Sequence, residues 1–244
     1  MITQPLFCPY FESDSVIRHG TAKGVQRYRC RACTRTFREN PGSRAYSEER
    51  KAEILAAYHE RTSLRGLRRI FGVSRATVTA WLKEEAEVLP PLEQKLPLAE
   101  AEEILELDEL WSFVRCKAQV RWLWIALCRR TRQGVAYVFG DRSEQTCRRL
   151  WEKIPEDYRL ALCYSDFWQA YQSVIPEEQH APVEKSSGQT NHVERWNLTL
   201  RQRLGRFVRR TLSFSKCDHL HEITLRLFLH EYNRSRARDP LYQP

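Results

Sequence analysis

Near Ile104 the hydrophobic period of this chain changes, and that change limits the folds open to it. Before it, apolar residues recur at helical spacing: Ile54, Leu55 and Tyr58, then Leu64, Leu67, Ile70 and Phe71, then Val78, Trp81 and Leu82. After it, the runs read as strands at 104–114, 121–130 and 134–140. A helix is predicted at about 143–153, a strand at 159–165, a helix at 167–174 and a short strand near 180–184. One helix then runs from Asn191 to about Phe207, and a last one covers 218–234.

Three strands, helix, strand, helix, strand, helix is the order of an RNase H-like fold, a mixed sheet with helices on both faces. The expectation is an α/β multidomain chain in four segments. Residues 1–42 form a zinc-ribbon-like hairpin, because Cys8 and the pair Cys30–Cys33 flank the alternating run Val25–Arg29. Pro41-Gly42-Ser43 breaks that pattern. Residues 43–88 are predicted as three helices, with Ser63 and Ser74 as caps and Gly72-Val73-Ser74 as a tight turn, the layout of a helix-turn-helix. In that layout Arg75, Thr77, Thr79 and Lys83 face the major groove of DNA; an ordinary three-helix packing unit is the alternative. Residues 89–103 make an acidic, proline-containing linker, and 104–244 form the RNase H-like domain.

Charge is unevenly spread. The formal net charge is +9, with 40 Lys and Arg against 31 Asp and Glu. Met1 to Lys83 carries 16 basic and 7 acidic residues, Arg195 to Arg238 carries 11 and 3, and Glu84 to Glu109 between them holds 10 acids and one lysine. Two basic lobes around an acidic connector suit a chain that touches a polyanion at two surfaces. No run of 18 apolar residues and no signal-peptide core is seen, so a cytoplasmic, membrane-free location is expected. Cys116, Cys128, Cys147, Cys163 and Cys217 lack a framework spacing and read as reduced thiols.

Three acids stand out. Asp108 lies within the first long strand, Asp166 ends the 159–165 run, and Glu194 sits in the arginine-rich helix that begins at Asn191. Phosphoryl transfer needs an aligned nucleophile and relief of charge on the attacking and leaving oxygens, which carboxylate-bound divalent ions supply. Mg²⁺ or Mn²⁺ is therefore the expected ion, with oxygen ligands from all three acids. Strand alternation separates Leu105, Leu107, Trp111 and Phe113 from Asp108, which shares its face with Glu106, Leu110 and Ser112. Arg201 follows Glu194 by two helical turns, and with Arg195, Arg206 and Arg209 it marks a path for substrate phosphates. The plain alternative is solvated or turn-capping acids.

The segments Asp108-Glu109-x-Trp111, Asp166-x-Trp168-x-x-Tyr171, Glu194-Arg195-x-Asn197-Leu198-x-Leu200-Arg201-Gln202 and Ser213-Phe214-Ser215-Lys216 resemble the transposases of the insertion-sequence-one family. The resemblance covers nearly the whole chain and implies an enzyme of the Asp-Asp-Glu type. It implies recognition of an element's terminal inverted repeats in double-stranded DNA, strand cleavage by water, and joining of the free 3′-hydroxyl to target DNA. Asp108, Asp166 and Glu194 then take the metal-ligand positions. Because two DNA ends are joined, a homodimer or larger homo-oligomer is expected, in a prokaryotic, nucleoid-associated setting. Rival readings are a DNA-binding regulator with structural carboxylates, and a nuclease of the same fold that joins nothing.

The finger departs from the family. Cys8-Pro9-Tyr10-Phe11 puts phenylalanine where a second cysteine belongs, and structural zinc wants four ligands. Cys8, Cys30 and Cys33 supply three; His19, Asp14 or Glu12 is the candidate fourth, or the hairpin folds without metal around Phe11, Tyr28 and Phe37. His192 is a candidate proton carrier or phosphate contact. His219 and His221 have poor helical metal spacing. Trp196 is expected in the core, and Trp168 either there or against an extruded base.

Overall fold

The computed structural model describes residues 6–38 and 45–238, so the break at Pro41-Gly42-Ser43 lies outside the described residues. The chain divides into two compact units, Met1–Arg50 and Lys51–Pro244. In the first, β1 (Val16–Ala22), β2 (Val25–Cys30) and β3 (Thr36–Phe37) form an antiparallel sheet in that order. Lys23 and Gly24 turn the first hairpin with φ of 52° and 74°, the left-handed pair that a two-residue turn demands. Cys8, Cys30 and Phe37 are its buried centre, with Tyr28 packed against them. Phe11 does not join them. It is 64% exposed, so the version of the hairpin core that includes Phe11 is not what forms.

The second unit begins with α1 (Glu48–His59, whose first turn precedes the boundary), α2 (Leu64–Phe71) and α3 (Arg75–Glu87). The Ser63 and Ser74 hydroxyls accept from the N–H groups of Gly66 and Thr77, both at 3.0 Å, which satisfies donors the first helical turn leaves free. Gly72 ends α2 at φ 70°. Ile54, Leu55, Leu67, Val78 and Leu82 are buried, whereas Ile70, expected on the inner face, is 66% exposed. Tyr58 Oη lies 3.1 Å from Thr224 Oγ1, and Arg226 donates to the Leu89 carbonyl at 2.7 Å. These bonds tie the three helices to the last helix of the same unit.

A five-stranded mixed sheet follows. Its members are β4 (Ile104–Phe113), β5 (Val120–Cys128), β6 (Gly134–Gly140), β7 (Leu162–Ser165) and β8 (His180–Pro182), in the order β6-β5-β4-β7-β8. β4, β5 and β6 are an antiparallel meander, and β7 and β8 add on in parallel. Both faces are covered. Leu105, Leu107 and Trp124 pack on one side with residues of α4 (Glu144–Lys153) and α5 (Gln169–Val174). Leu110, Leu123, Ile125 and Leu127 pack on the other with α6 (Asn191–Arg203) and α7 (Asp218–Arg238). Gly134 is required by that second layer, since a Cβ there would sit 2.7 Å from Leu229 Cδ2.

Two boundaries differ from expectation. β7 starts at Leu162, because Pro155 opens a 3₁₀ turn over Glu156–Leu160. α6 ends at Arg203 and not near Phe207. Leu204 turns to φ −115°, ψ 102°, and a 3₁₀ turn over Gly205–Phe207 still delivers Leu204 and Phe207 to the core.

Candidate active site

β4 lies at the centre of the sheet, between β5 and β7. The parallel register of β4 and β7 runs to Glu106 and Tyr164, and Asp166 follows the last residue of β7, where its charge acts on Asp108. α6 comes in over the same face. Glu106, wholly buried, accepts from the His192 and Val193 N–H groups at 3.0 and 3.1 Å. Thr190, the residue at the cap position, makes no side-chain cap bond, so a strand carboxylate caps this helix instead. Asn197 Nδ2 then donates to Asp108 Oδ2 at 2.6 Å. From Glu106 to Asp108 is about 6.6 Å of strand, and from His192 to Asn197 is about 7.5 Å of helix. The two elements therefore run in step, and Glu194 falls between the two points of attachment.

The Asp108 carboxyl is pushed up to about 7, first by burial and then by the nearby charges of Glu109 and Asp166. Asp108 Oδ1 accepts from the Glu109 N–H at 2.9 Å, and Asp166 Oδ1 from the Trp168 N–H at 3.0 Å. Asn197 Oδ1 is buried with no partner in the protein. Partial burial, like charge and an unmet polar atom together describe a place whose excess negative charge a cation relieves. The donor set, hard carboxylate oxygens, fits Mg²⁺ or Mn²⁺. Among the described residues, no choice of one oxygen each from Asp108, Asp166 and Glu194 brings all three within 4.8 Å of one another. Acids that would divide between a pair of ions need not all converge on a single point.

Below pH 4 the Asp108 side chain is protonated both folded and unfolded. Between about 4 and 7 only the unfolded chain ionises, so the folded state holds the extra proton. That contribution to stability is lost as the pH rises through 7. Asp108→Asn, which cannot ionise, is expected to stabilise the metal-free protein at pH 8 by about 2–4 kcal/mol and far less at pH 4. Urea unfolding in chelator at both pH values measures this; equal stability changes at the two would contradict the assigned ionisation.

A model of the IS1 transposase family matches residues 103–233, more than half of the chain. The chain belongs to the IS1 transposase family. A model of the InsA N-terminal domain, a zinc ribbon, matches residues 1–34. The InsB protein of insertion element iso-IS1n from Shigella dysenteriae is 37% identical over 129 residues, 53% of this chain and 95% of that protein. The IS1 InsB protein of Shigella flexneri is 38% identical over 117 residues, 48% of this chain and 86% of that protein. In Escherichia coli K12, the InsB protein of IS1 4 is also 38% identical over 117 residues, covering 48% and 68%. Neither family model reaches residues 35–102, where α1 to α3 lie.

In this IS1-family chain several site residues carried no clear signal in the sequence. Glu106 also holds Arg129 at 2.7 Å and His192 Nδ1 at 2.6 Å, while Arg129 grips the Gln189 side chain at 2.9 Å and its carbonyl. Glu109, turned to the opposite face from Asp108, takes Arg142 at 2.7 Å and the Tyr171 hydroxyl at 3.3 Å. The Arg142 guanidinium lies 4.0 Å over the Trp168 ring, a cation–π contact that leaves this residue 37% exposed. Trp196 is core, as expected. The clue to Glu106 was its position on Asp108's face of β4, two residues before it.

The cationic candidates divide. Arg195 and Arg209 are exposed. Arg201 is half-buried and donates to the carbonyls of Phe207 at 2.8 Å and Trp111 at 3.3 Å, so part of the predicted phosphate path serves as a brace. Arg206 reaches the Tyr58 hydroxyl at 3.1 Å. On α3, Arg75 and Lys83 are exposed, Thr79 is half-buried, and Thr77 Oγ1 lies 2.8 Å from the Ser74 hydroxyl. His221 is buried between Ser112 and Ser215, and desolvation lowers it to about 4, so it is a neutral structural group. His219 is exposed.

The ribbon brings Cys8, Cys30 and Cys33 together with all ligand atoms within 4.8 Å, and Cys8 and Cys33 sulfurs 3.5 Å apart. The Cys33 N–H points at Cys30 Sγ and lowers that thiol, as thiolate ligation favours. His19, the leading candidate for a fourth ligand, is exposed on β1 and outside this group, as are Asp14 and Glu12. Phe11 explains the shortfall, since its side chain points to solvent from the turn where a fourth ligand belongs. Three soft thiols in one cluster fit Zn²⁺.

Proposed function

We propose that this chain is a DNA transposase that binds the terminal inverted repeats of its element, hydrolyses a strand at each end and joins the freed 3′-hydroxyl to target DNA. Asp108, Asp166 and Glu194 hold Mg²⁺ or Mn²⁺, which when bound relieves charge on the attacking and leaving oxygens. The chain's own work is placement. Asn197 orients the Asp108 carboxylate, the Glu106 cap fixes the start of α6, and Arg142 pairs with Glu109 on the opposite face of β4. In cleavage the water oxygen bonds to phosphorus and the 3′-oxygen leaves. In joining, that 3′-hydroxyl attacks a target phosphodiester and displaces the target's own 3′-oxygen.

The observation that carries this reading is Asp108 held beneath a helix pinned at Glu106 and Asn197, its ionisation opposed by burial and by the charges of Glu109 and Asp166. The strand order and its two helical layers support an RNase H-like assignment for 104–244. The Ser74 cap and the Gly72 turn support a helix-turn-helix at 43–88, with Arg75, Thr77, Thr79 and Lys83 toward DNA. A finger at 1–42, a linker at 89–103, a homodimer or larger assembly on DNA and a place at the nucleoid complete the proposal. No helix among the described residues is long and apolar enough to cross a membrane. The test is a strand-transfer assay with an end oligonucleotide, Mg²⁺ and a supercoiled target; nicking without joined product would make the chain a nuclease.

Zinc is expected at one ion per chain. Cys30→Ser should bring that ratio near zero and loosen the ribbon, because so few other residues form its core. Atomic absorption on dialysed protein decides it, and a folded wild type free of zinc ends the finger assignment.

A further inference from the structure

A cleft of about 910 Å³ opens in the second unit between α2 and α3 on one side and the stretch joining α6 to α7 on the other. Nine of its lining residues are Arg or Lys, and none is Asp or Glu. Arg65, Arg68 and Arg69 come from α2, Arg75 and Lys83 from α3, and Lys216 from the far wall. Among the described residues none of these six makes an ion pair, so their charge is turned to solvent and to whatever enters. Apolar groups lie between them. Leu64, Phe214 and Leu212 line the same space, and Leu212 is 94% exposed.

A cationic rim around apolar side chains suits unpaired nucleotides better than a duplex. A duplex keeps its base faces stacked inside and offers phosphates and groove edges, whereas an unpaired strand offers phosphates and bare base faces together. The volume is also that of a ligand pocket, enough for a short run of nucleotides. We infer that this cleft binds a single strand of DNA, its phosphates on Arg65, Arg68, Arg69 and Lys216 and its bases against Leu212 and Phe214. The inference rests on the transposase reading and deepens it. The far wall is fastened to the strand that carries Asp108, since Arg115 N–H donates to the Ser215 carbonyl at 2.7 Å and Val114 bridges Ser215. Asp108 lies six residues before Val114, about 20 Å along the chain of β4. An unpaired strand leading from the site of cleavage can therefore be held here.

Arg65→Ala combined with Lys216→Ala changes one exposed cation on each wall, and Leu212→Ser changes only an exposed apolar contact. Anisotropy titrations of full-length protein in chelator would use a mixed-sequence 15-nucleotide strand and a blunt end duplex, at several salt concentrations. The double variant is expected to lose at least about tenfold affinity for the strand. Its log–log salt slope should fall by about 1.4, from two phosphate contacts at roughly 0.7 each, with the duplex affinity nearly unchanged. Leu212→Ser should weaken the strand alone. Unchanged strand binding in the double variant overturns the cleft assignment while leaving duplex binding and cleavage, and so the transposase reading, intact. Equal losses on strand and duplex overturn the single-strand specificity and leave a general phosphate track. A wild type that binds neither DNA sinks both readings.

Discussion

Single replacement of Asp108, Asp166 or Glu194 by alanine is expected to lower strand cleavage and joining by about a thousandfold or more, with end binding retained. The size follows from the several kcal/mol that cation-borne charge stabilisation contributes, at about 1.4 kcal/mol for each factor of ten. Binding should survive because these replacements leave the exposed cations Arg75, Lys83 and Arg195 in place. The folds of these variants should also survive. Burial and like charge already disfavour ionised Asp108, so its removal relieves repulsion in the metal-free protein. Loss of activity with equal or greater stability is the signature of a functional carboxylate, and a structural one would give the opposite. Retained joining in any of the three would end the metal-trio assignment.

The second large effect is on stability and comes from a residue that need not touch DNA. Glu106→Ala should destabilise the second unit by about 3–5 kcal/mol, the usual cost of removing one partner from a buried charge cluster. It strands Arg129, His192 and two N–H groups of α6 at once. Glu106→Gln keeps an acceptor for the helix but loses the ionic contact to Arg129, so a smaller loss is expected. Denaturant unfolding measures both. In the glutamine variant, cleavage should fall more than end binding does, because Glu194 rides on the helix that Glu106 holds. If Glu106→Ala unfolds at the wild-type denaturant midpoint, the carboxylate is not the anchor of α6.

Where the sequence was legible, the signals were local. Ser63 and Ser74 cap helices as their positions before apolar runs required, and the alternation of 104–113 put Leu105 and Leu107 against Asp108 on opposite faces. The acids were legible as residue types on the right elements, and the family followed from their neighbours. Less legible were Ile70, exposed although periodic, and the early end of α6, where Leu204 leaves helical geometry and Phe207 still reaches the core through a 3₁₀ turn.

The chain's sequence alone determined its elements, its charge layout and the three carboxylates worth testing, because helical and strand periods and cap chemistry act over a few residues. Tertiary structure decided which charges meet. Glu106 capping a helix that begins 85 residues later, Arg142 bound to Glu109, and three cysteines gathered without His19 all depend on register between distant segments. No local pattern encodes that register. For the carboxylate contacts it is set when the two apolar faces of the central sheet are buried at the same time, and for the cysteines by the strand pairing of the ribbon itself.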